Sequence, residues 1–264
     1  MQVVINVEYN EDTLKEYLMF DTPFPYNESI TLHPILVKDI LAFNQCLQAF
    51  TVRKNASIPE KKYIKMGYFD FLKVTAGDRE FAERYNMKYL PFCYSMAMRL
   101  LSIICGEDAE IQYHRETLDV WINGCMITNE IFDDIRRIFF IQNDVDFDMD
   151  EFMNIDTLNA LEKARAFEQR KNNNSGTTED YIDSLAVGLR IENKYIQNLT
   201  IRKFWRYIKR LNKHDEYQAC RTGEMSGMVT FKQPLKHWMS SMEVEDKYKD
   251  LKANESEIRS KLGG

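Results

Sequence analysis

Carboxylates are the first residues whose spacing could do chemistry. Asp144, Asp146, Asp148 and Asp150 alternate along the chain, with Glu151 beside them. Hard cations such as calcium take several oxygen ligands of this kind. A helix–loop–helix calcium site also needs glycine at the sixth loop position and glutamate at the twelfth. Counted from Asp144, those positions hold Met149 and Ile155; counted from Asp146, they hold Glu151 and Thr157. Both registers fail, so a solvated acidic loop is expected. His33, His114, His214 and His237 are scattered, and Cys46, Cys93, Cys105, Cys125 and Cys220 show no C-x-x-C or mixed His/Cys ligand spacing. Cys105 precedes Gly106, but nothing in the sequence positions a base for it. No phosphate-cradling glycine loop, dinucleotide fingerprint or G-x-S-x-G elbow occurs. The reading therefore predicts no catalytic residue, no cofactor, no metal site and no enzymatic activity.

A second group of residues suits binding better than catalysis. Arg202, Lys203, Arg206, Lys209, Arg210 and Lys213 recur along one segment, while Ile201, Phe204, Trp205, Ile208 and Leu211 recur at spacings of three and four. That pattern is an amphipathic basic helix. It can pack its apolar stripe inward as an ordinary surface helix. It can also offer its cations to an acidic protein, to nucleic acid or to an anionic surface. Arg202, Lys203, Arg206, Lys209 and Arg210, with Trp238 as a packing anchor further on, are the candidate partner-binding residues. The acidic stretch of the same chain is one possible counterpart, within or between molecules. Between helix and anchor, Gly223 to Phe231 could be a hinge, an extended strand or a partner-binding loop.

Composition narrows the class. The chain has 264 residues, 44% of them hydrophobic and only 10 glycines, which supports a buried core. Its 41 acids outnumber 35 bases for a net charge of −6, which argues against a protein that coats nucleic acid. The charge is uneven. Residues 144–156 hold six acids and no base, whereas residues 199–221 hold seven Lys/Arg against Asp215 and Glu216. The most apolar run, Phe92 to Cys105, is short and carries Arg99, so a buried helix is expected rather than a membrane span. No signal peptide is read at the N-terminus. The cysteines are expected to be reduced and mostly buried in a cytoplasmic protein.

The elements that must position these residues follow from periodicity. Residues 2–8 alternate as a strand, and Ser29 to Leu32 form a second one stopped at Pro34. Thr22 to Pro25 reads as a loop. Helical spacing covers Val37 to Phe50 and Glu60 to Val74, and Asp78 can cap a helix reaching Cys105 with a break before Pro91. Glu110 to His114 and Thr117 to Ile122 are strands, and Asn123-Gly124 then predicts a tight hairpin into Cys125-Met126-Ile127. Thr128 caps a helix whose face is Ile131, Ile135, Ile138 and Phe139. A helix from Asp156 to Arg170 follows. Thr177 to Asp180 caps the next helix through Leu189, and the basic helix runs from Ile201 to about Cys220. The fold class is thus α+β, mainly α-helical, with a short N-terminal β element and a central β-hairpin or meander. The expected organisation is a mixed domain over 1–106, a hairpin with helices over 107–171 and a linker at 172–176. A helical region over 177–242 and a charged tail over 243–264 complete it.

The stretches Thr177-Thr178-Glu179-Asp180-Tyr181-Ile182-Asp183-Ser184, Leu199-Thr200-Ile201-Arg202-Lys203-Phe204-Trp205, Gly227-Met228-Val229 and Leu235-Lys236-His237-Trp238 resemble the C-terminal half of a family of bacteriophage proteins. These are encoded among the tail-morphogenesis genes of phages infecting Gram-positive bacteria, and some look like tail assembly chaperones. The hairpin at Ile122-Asn123-Gly124 and the helix from Phe132 to Gln142 fit the same pattern, so the resemblance covers about residues 110–240. It implies an assembly role in the host cytoplasm: binding the tape-measure or tube protein of the tail. Self-association is a further partner reading left open. It carries over no catalytic residue. The alternatives are a structural virion component of the tail, neck or baseplate, and a nucleic-acid-binding regulator using the basic helix.

Overall fold

Leu14, Tyr17 and Leu18 recur at helical spacing, and Glu11–Phe20 forms helix α1 with Leu14 buried. Sequence analysis read no element there. The structure, a computed structural model, describes residues 11–54, 58, 60–147, 149, 176–227, 229–231 and 234–241. The strand expected over 2–8, the helix from Asp156 to Arg170, residues 171–175 of the linker and the tail over 243–264 lie outside the described residues. Two strands follow α1: β1 (Phe24–Pro25) pairs antiparallel with β2 (Thr31–Leu32). The expected loop at 22–25 thus includes a strand, in which Pro25 is tolerated because the pairing is short. Helix α2 (Ile40–Cys46) is flanked by 3-10 turns at Val37–Asp39 and Leu47–Ala49, so the expected helix over 37–50 is present in three pieces.

The helix expected over 60–74 is broken. It consists of α3 (Lys61–Lys65) and α4 (Tyr68–Val74), with Gly67 as the N-cap of α4. Gly67 has no side chain to cap with, and the cap comes from far along the chain. Asn129 accepts the Asp70 N–H through Oδ1 at 3.1 Å and donates through Nδ2 to the Asp70 carboxylate at 2.7 Å. A Cβ on Gly67 would meet that Asn129 side chain at 2.2 Å, so only glycine leaves room for the cap. Helix α5 (Arg79–Arg84) is capped by Asp78, as expected, and α6 (Cys93–Cys105) follows a 3-10 turn at Leu90–Phe92. The break before α6 starts earlier than Pro91, at Asn86, whose φ of 53° is left-handed.

Strands β3 (Ile111–Tyr113), β4 (Val120–Ile122) and β5 (Cys125–Met126) make an antiparallel sheet in the order β3-β4-β5. Asn123 and Gly124 both have positive φ, the geometry a two-residue primed turn requires. Helix α7 (Asn129–Gln142) starts on Thr128, whose hydroxyl accepts from Ile131 N–H at 3.3 Å. Beyond residue 175 come α8 (Thr178–Leu189), α9 (Asn193–Gln197) and α10 (Ile201–Met225). Helix α10 runs five residues past the expected end, through Gly223. Part of the Gly223 to Phe231 segment, read as a hinge, an extended strand or a partner-binding loop, is therefore helix. The fold is mainly α with a small β part. No helix of the described residues is long and apolar enough to cross a membrane.

The chain divides into two compact units, Met1–Arg206 and Tyr207–Gly264. In the first, residues on both sides of position 106 share one core. Phe50 packs edge-on against Phe132 and Phe139 at centroid distances of 5.5 and 4.9 Å, and Phe69 stacks on Phe132 at 4.7 Å. A charge lies among these rings. Arg136 is only 4% exposed and sits 3.4 Å over the Tyr68 ring. It donates twice to the Phe50 carbonyl, at 3.1 and 2.6 Å, and once to Asp133 at 2.8 Å. The Tyr68 hydroxyl donates to the Ala49 carbonyl and accepts from Val52 N–H. Three side-chain donors and one acceptor thus satisfy the irregular backbone after α2, which has no helix or sheet partner there.

The cross-chain cap yields a double-mutant test. Gly67→Ala displaces the Asn129 side chain and is expected to cost about 1 kcal/mol or more, the usual worth of a helix cap. In an Asn129→Ala background the same glycine change is expected to cost much less, a coupling that denaturant melts of the four proteins measure.

Candidate partner-binding surface

The buried strip at residues 32–37 positions the start of the basic helix. Its backbone has little sheet to pair with, so its polar groups find partners one by one. His33 N–H donates to Ile104 O at the end of α6, at 2.7 Å. The Leu32 carbonyl accepts from Gln142 Nε2, and Ile35 N–H donates to Asn143 Oδ1, both at the end of α7. Val37 N–H donates to Leu199 O at 2.9 Å, and Ile201 N–H donates to Ile35 O at 2.8 Å. This last pair forms a bridge of Leu36 with Thr200 that docks α10 at its first residue.

Thr200 is the cap of α10. Its hydroxyl accepts from Lys203 N–H and donates to Asp21, each at 3.1 Å. Asp21 lies just past the end of α1 with a left-handed φ of 56°. Helix α1 presents its unpaired terminal carbonyls here, and the first cations of α10 satisfy them. Arg202 donates to Leu18 O and Lys203 to Met19 O, each at 3.1 Å, with the Asp21 carboxylate 3.7 Å from Lys203. Cations at a helix C-terminus are favoured by its partial negative charge. Burial first, and the like charge of Arg206 second, pull the Arg202 guanidinium below its ordinary value, while Asp144 and Asp21 oppose that shift.

In the second unit the same helix does similar work with different residues. Arg210 donates to the carbonyls of Trp238 and Ser240. Lys213 donates to Ser240 O, Ser240 Oγ and Ser241 O, at 3.3, 2.8 and 2.9 Å. Trp238 meets the His214 ring edge-on at 5.1 Å, and His237 meets Tyr217 at 5.1 Å. Trp238 thus packs on α10, the anchor role expected of it. The six candidate residues do not form one open basic face. Arg202 and Lys203 tie down α1, Arg210 and Trp238 belong to the tie of residues 238–241, Arg206 is half-buried and Lys209 is exposed.

Sequence reasoning passed over a different surface. Helix α8 is held by a reciprocal capping box between Thr177 and Asp180 and packs on α9. Tyr181 meets Trp205 edge-on at 5.2 Å. Among the residues of α8 and α9 only Leu185 and Ile196 are buried. Val187 is 79% exposed, Tyr195 55% and Leu189 40%. The signal was available as apolar residues in excess of one helical face, at Ile182, Leu185, Ala186, Val187 and Leu189. The chemistry of the thiols points away from reactivity: all five cysteines are unpaired, and burial pushes those of Cys93 and Cys105 up to about 12.

The helical segment carrying these side chains is similar to a phage-derived family. Residues 170–243 match the model of a family described as the YomV second domain, a phage-derived family named for a protein of a Bacillus prophage. No curated protein and no solved structure matches the chain.

The 238–241 tie can be loosened selectively. Replacing Arg210 and Lys213 together by glutamine is expected to speed tryptic cleavage after Lys236 severalfold, read by intact-mass spectrometry, because the charge-assisted bonds to the turn are removed.

Proposed function

We propose that the chain is a non-enzymatic phage morphogenesis factor that binds another protein of the phage tail, acting as a tail assembly chaperone. The observation that carries this reading is the exposure of the large apolar side chains Val187, Leu189 and Tyr195 on α8 and α9, inside the segment that matches a phage-derived family. Val187 lies on the face of α8 opposite the buried Leu185, and a helix presenting a large apolar side chain to solvent suits a groove or helix of a partner. A tape-measure protein, with long apolar helical surface to shield, is the partner this chemistry fits. The cations of α10 contribute less to such binding, because four of them hold backbone carbonyls of this chain. That also weakens the reading of a nucleic-acid-binding regulator.

The test is co-expression with the tape-measure protein of the same phage. The chain is expected to raise the soluble fraction of that protein and to co-purify with it. Val187→Asp is expected to cut recovery severalfold while leaving the melting temperature within a few degrees. Mass analysis of purified particles separates the chaperone from a virion component, since a chaperone is absent from mature particles. An unchanged soluble fraction counts against the reading.

A further inference from the structure

We propose that β3 is a self-association edge, through which two copies of this chain pair antiparallel about a two-fold axis. Hydrogen-bond alternation along β3 sets which backbone groups face outward. Asn123 N–H donates to Glu110 O and His114 N–H donates to Asp119 O, so residues 110, 112 and 114 face β4. Ile111 and Tyr113 therefore turn their N–H and C=O groups to the opposite edge. Among the described residues no strand covers that edge, because β3 is terminal in the sheet. Gln112, Tyr113 and His114 are exposed, and Tyr113 is 49% exposed. The run Glu110-Ile111-Gln112-Tyr113-His114 has no proline and no lysine, the residues that commonly blunt an open edge.

Charge and shape select a second copy as the occupant. Centring the pairing on Gln112 sets Ile111 opposite Tyr113 of the other copy, which aligns the outward backbone groups of both strands as hydrogen-bonded pairs. The same register makes an aromatic–β-branched cross-strand pair on one face. On the other face it sets Glu110 opposite His114, and the two-fold repeats both pairings. The strand is complementary to itself in this one register. The contact is short and far below the roughly 1,200 Å² of a stable interface, so the dimer is weak and concentration-dependent. This inference is independent of the α8–α9 surface.

The register makes a sharp prediction. Gln112 faces Gln112 across the axis in a non-hydrogen-bonded pair, with Cα atoms about 4.5 Å apart. That separation is within the range a disulfide spans. Gln112→Cys is expected to give an oxidised dimer, cross-linked at position 112 of both chains by peptide mapping. Glu116→Cys, equally exposed in the adjoining turn, is expected to cross-link no more than the native chain. Analytical ultracentrifugation at high micromolar concentration is expected to show dimer for the native chain and monomer for Tyr113→Pro. That change removes an outward N–H and leaves the bonds to β4 intact, and a thermal melt checks that the protein is folded. A native chain that is monomeric throughout, or Gln112→Cys cross-linking no better than Glu116→Cys, overturns the proposal. So does a folded Tyr113→Pro that still dimerises. If Tyr113→Pro fails to fold, the cross-linking comparison decides alone.

Discussion

Buried backbone must be hydrogen-bonded, and the strip at residues 32–37 meets much of that requirement with little sheet. Five backbone groups of the strip reach three elements: the end of α6 through Ile104, the end of α7 through Gln142 and Asn143, and the start of α10 through Leu199 and Ile201. A short extended segment thereby fixes three helix termini at once. The β1–β2 hairpin sets the entry of the strip, and the 3-10 turn at Val37–Asp39 leads from it into α2. An unsatisfied buried amide or carbonyl costs about 1–3 kcal/mol, so misplacing any of these helix ends is penalised at the strip itself.

The same rule explains where the charges go. Arg136 could be expected on the surface of α7, yet it lies among Tyr68, Phe50 and Phe140, because the backbone after α2 needs donors that no helix or strand supplies. Arg202 and Lys203 satisfy the terminal carbonyls of α1, and Arg210 and Lys213 satisfy those of the 238–241 turn. A stripe of cations that looks like a binding face in one dimension is in large part a set of internal ties. On α8 and α9, Val187 and Tyr195 stay more than half exposed.

Local rules were legible in the sequence. Asn123-Gly124 announced its turn, and Thr128, Asp78 and the Thr177–Asp180 box announced helix starts, because turn and cap chemistry act within four residues. The mainly helical class followed from periodicity. Elements set by distant partners were not legible. The break at Gly67 depends on Asn129, 62 positions later in the numbering of the sequence. Helix α1 carried a readable signal in Leu14, Tyr17 and Leu18, and α9 is too short to show one. For the candidate site, the helix and its cations were visible. Their use was hidden, because backbone carbonyls of residues 18, 19, 238 and 240 leave no trace in residue type.

The segment that is similar to a phage-derived family holds a basic helix docked at its first residue and tied down by its own cations. All of that depends on the strip holding the start of α10. Site-resolved amide hydrogen exchange of the full chain tests it most directly. The amides of His33, Ile35, Val37 and Ile201 are expected to exchange as slowly as the core amides of α6 and α7, opening only with global unfolding. Exchange of these four amides at the rate of exposed loop residues would contradict the account.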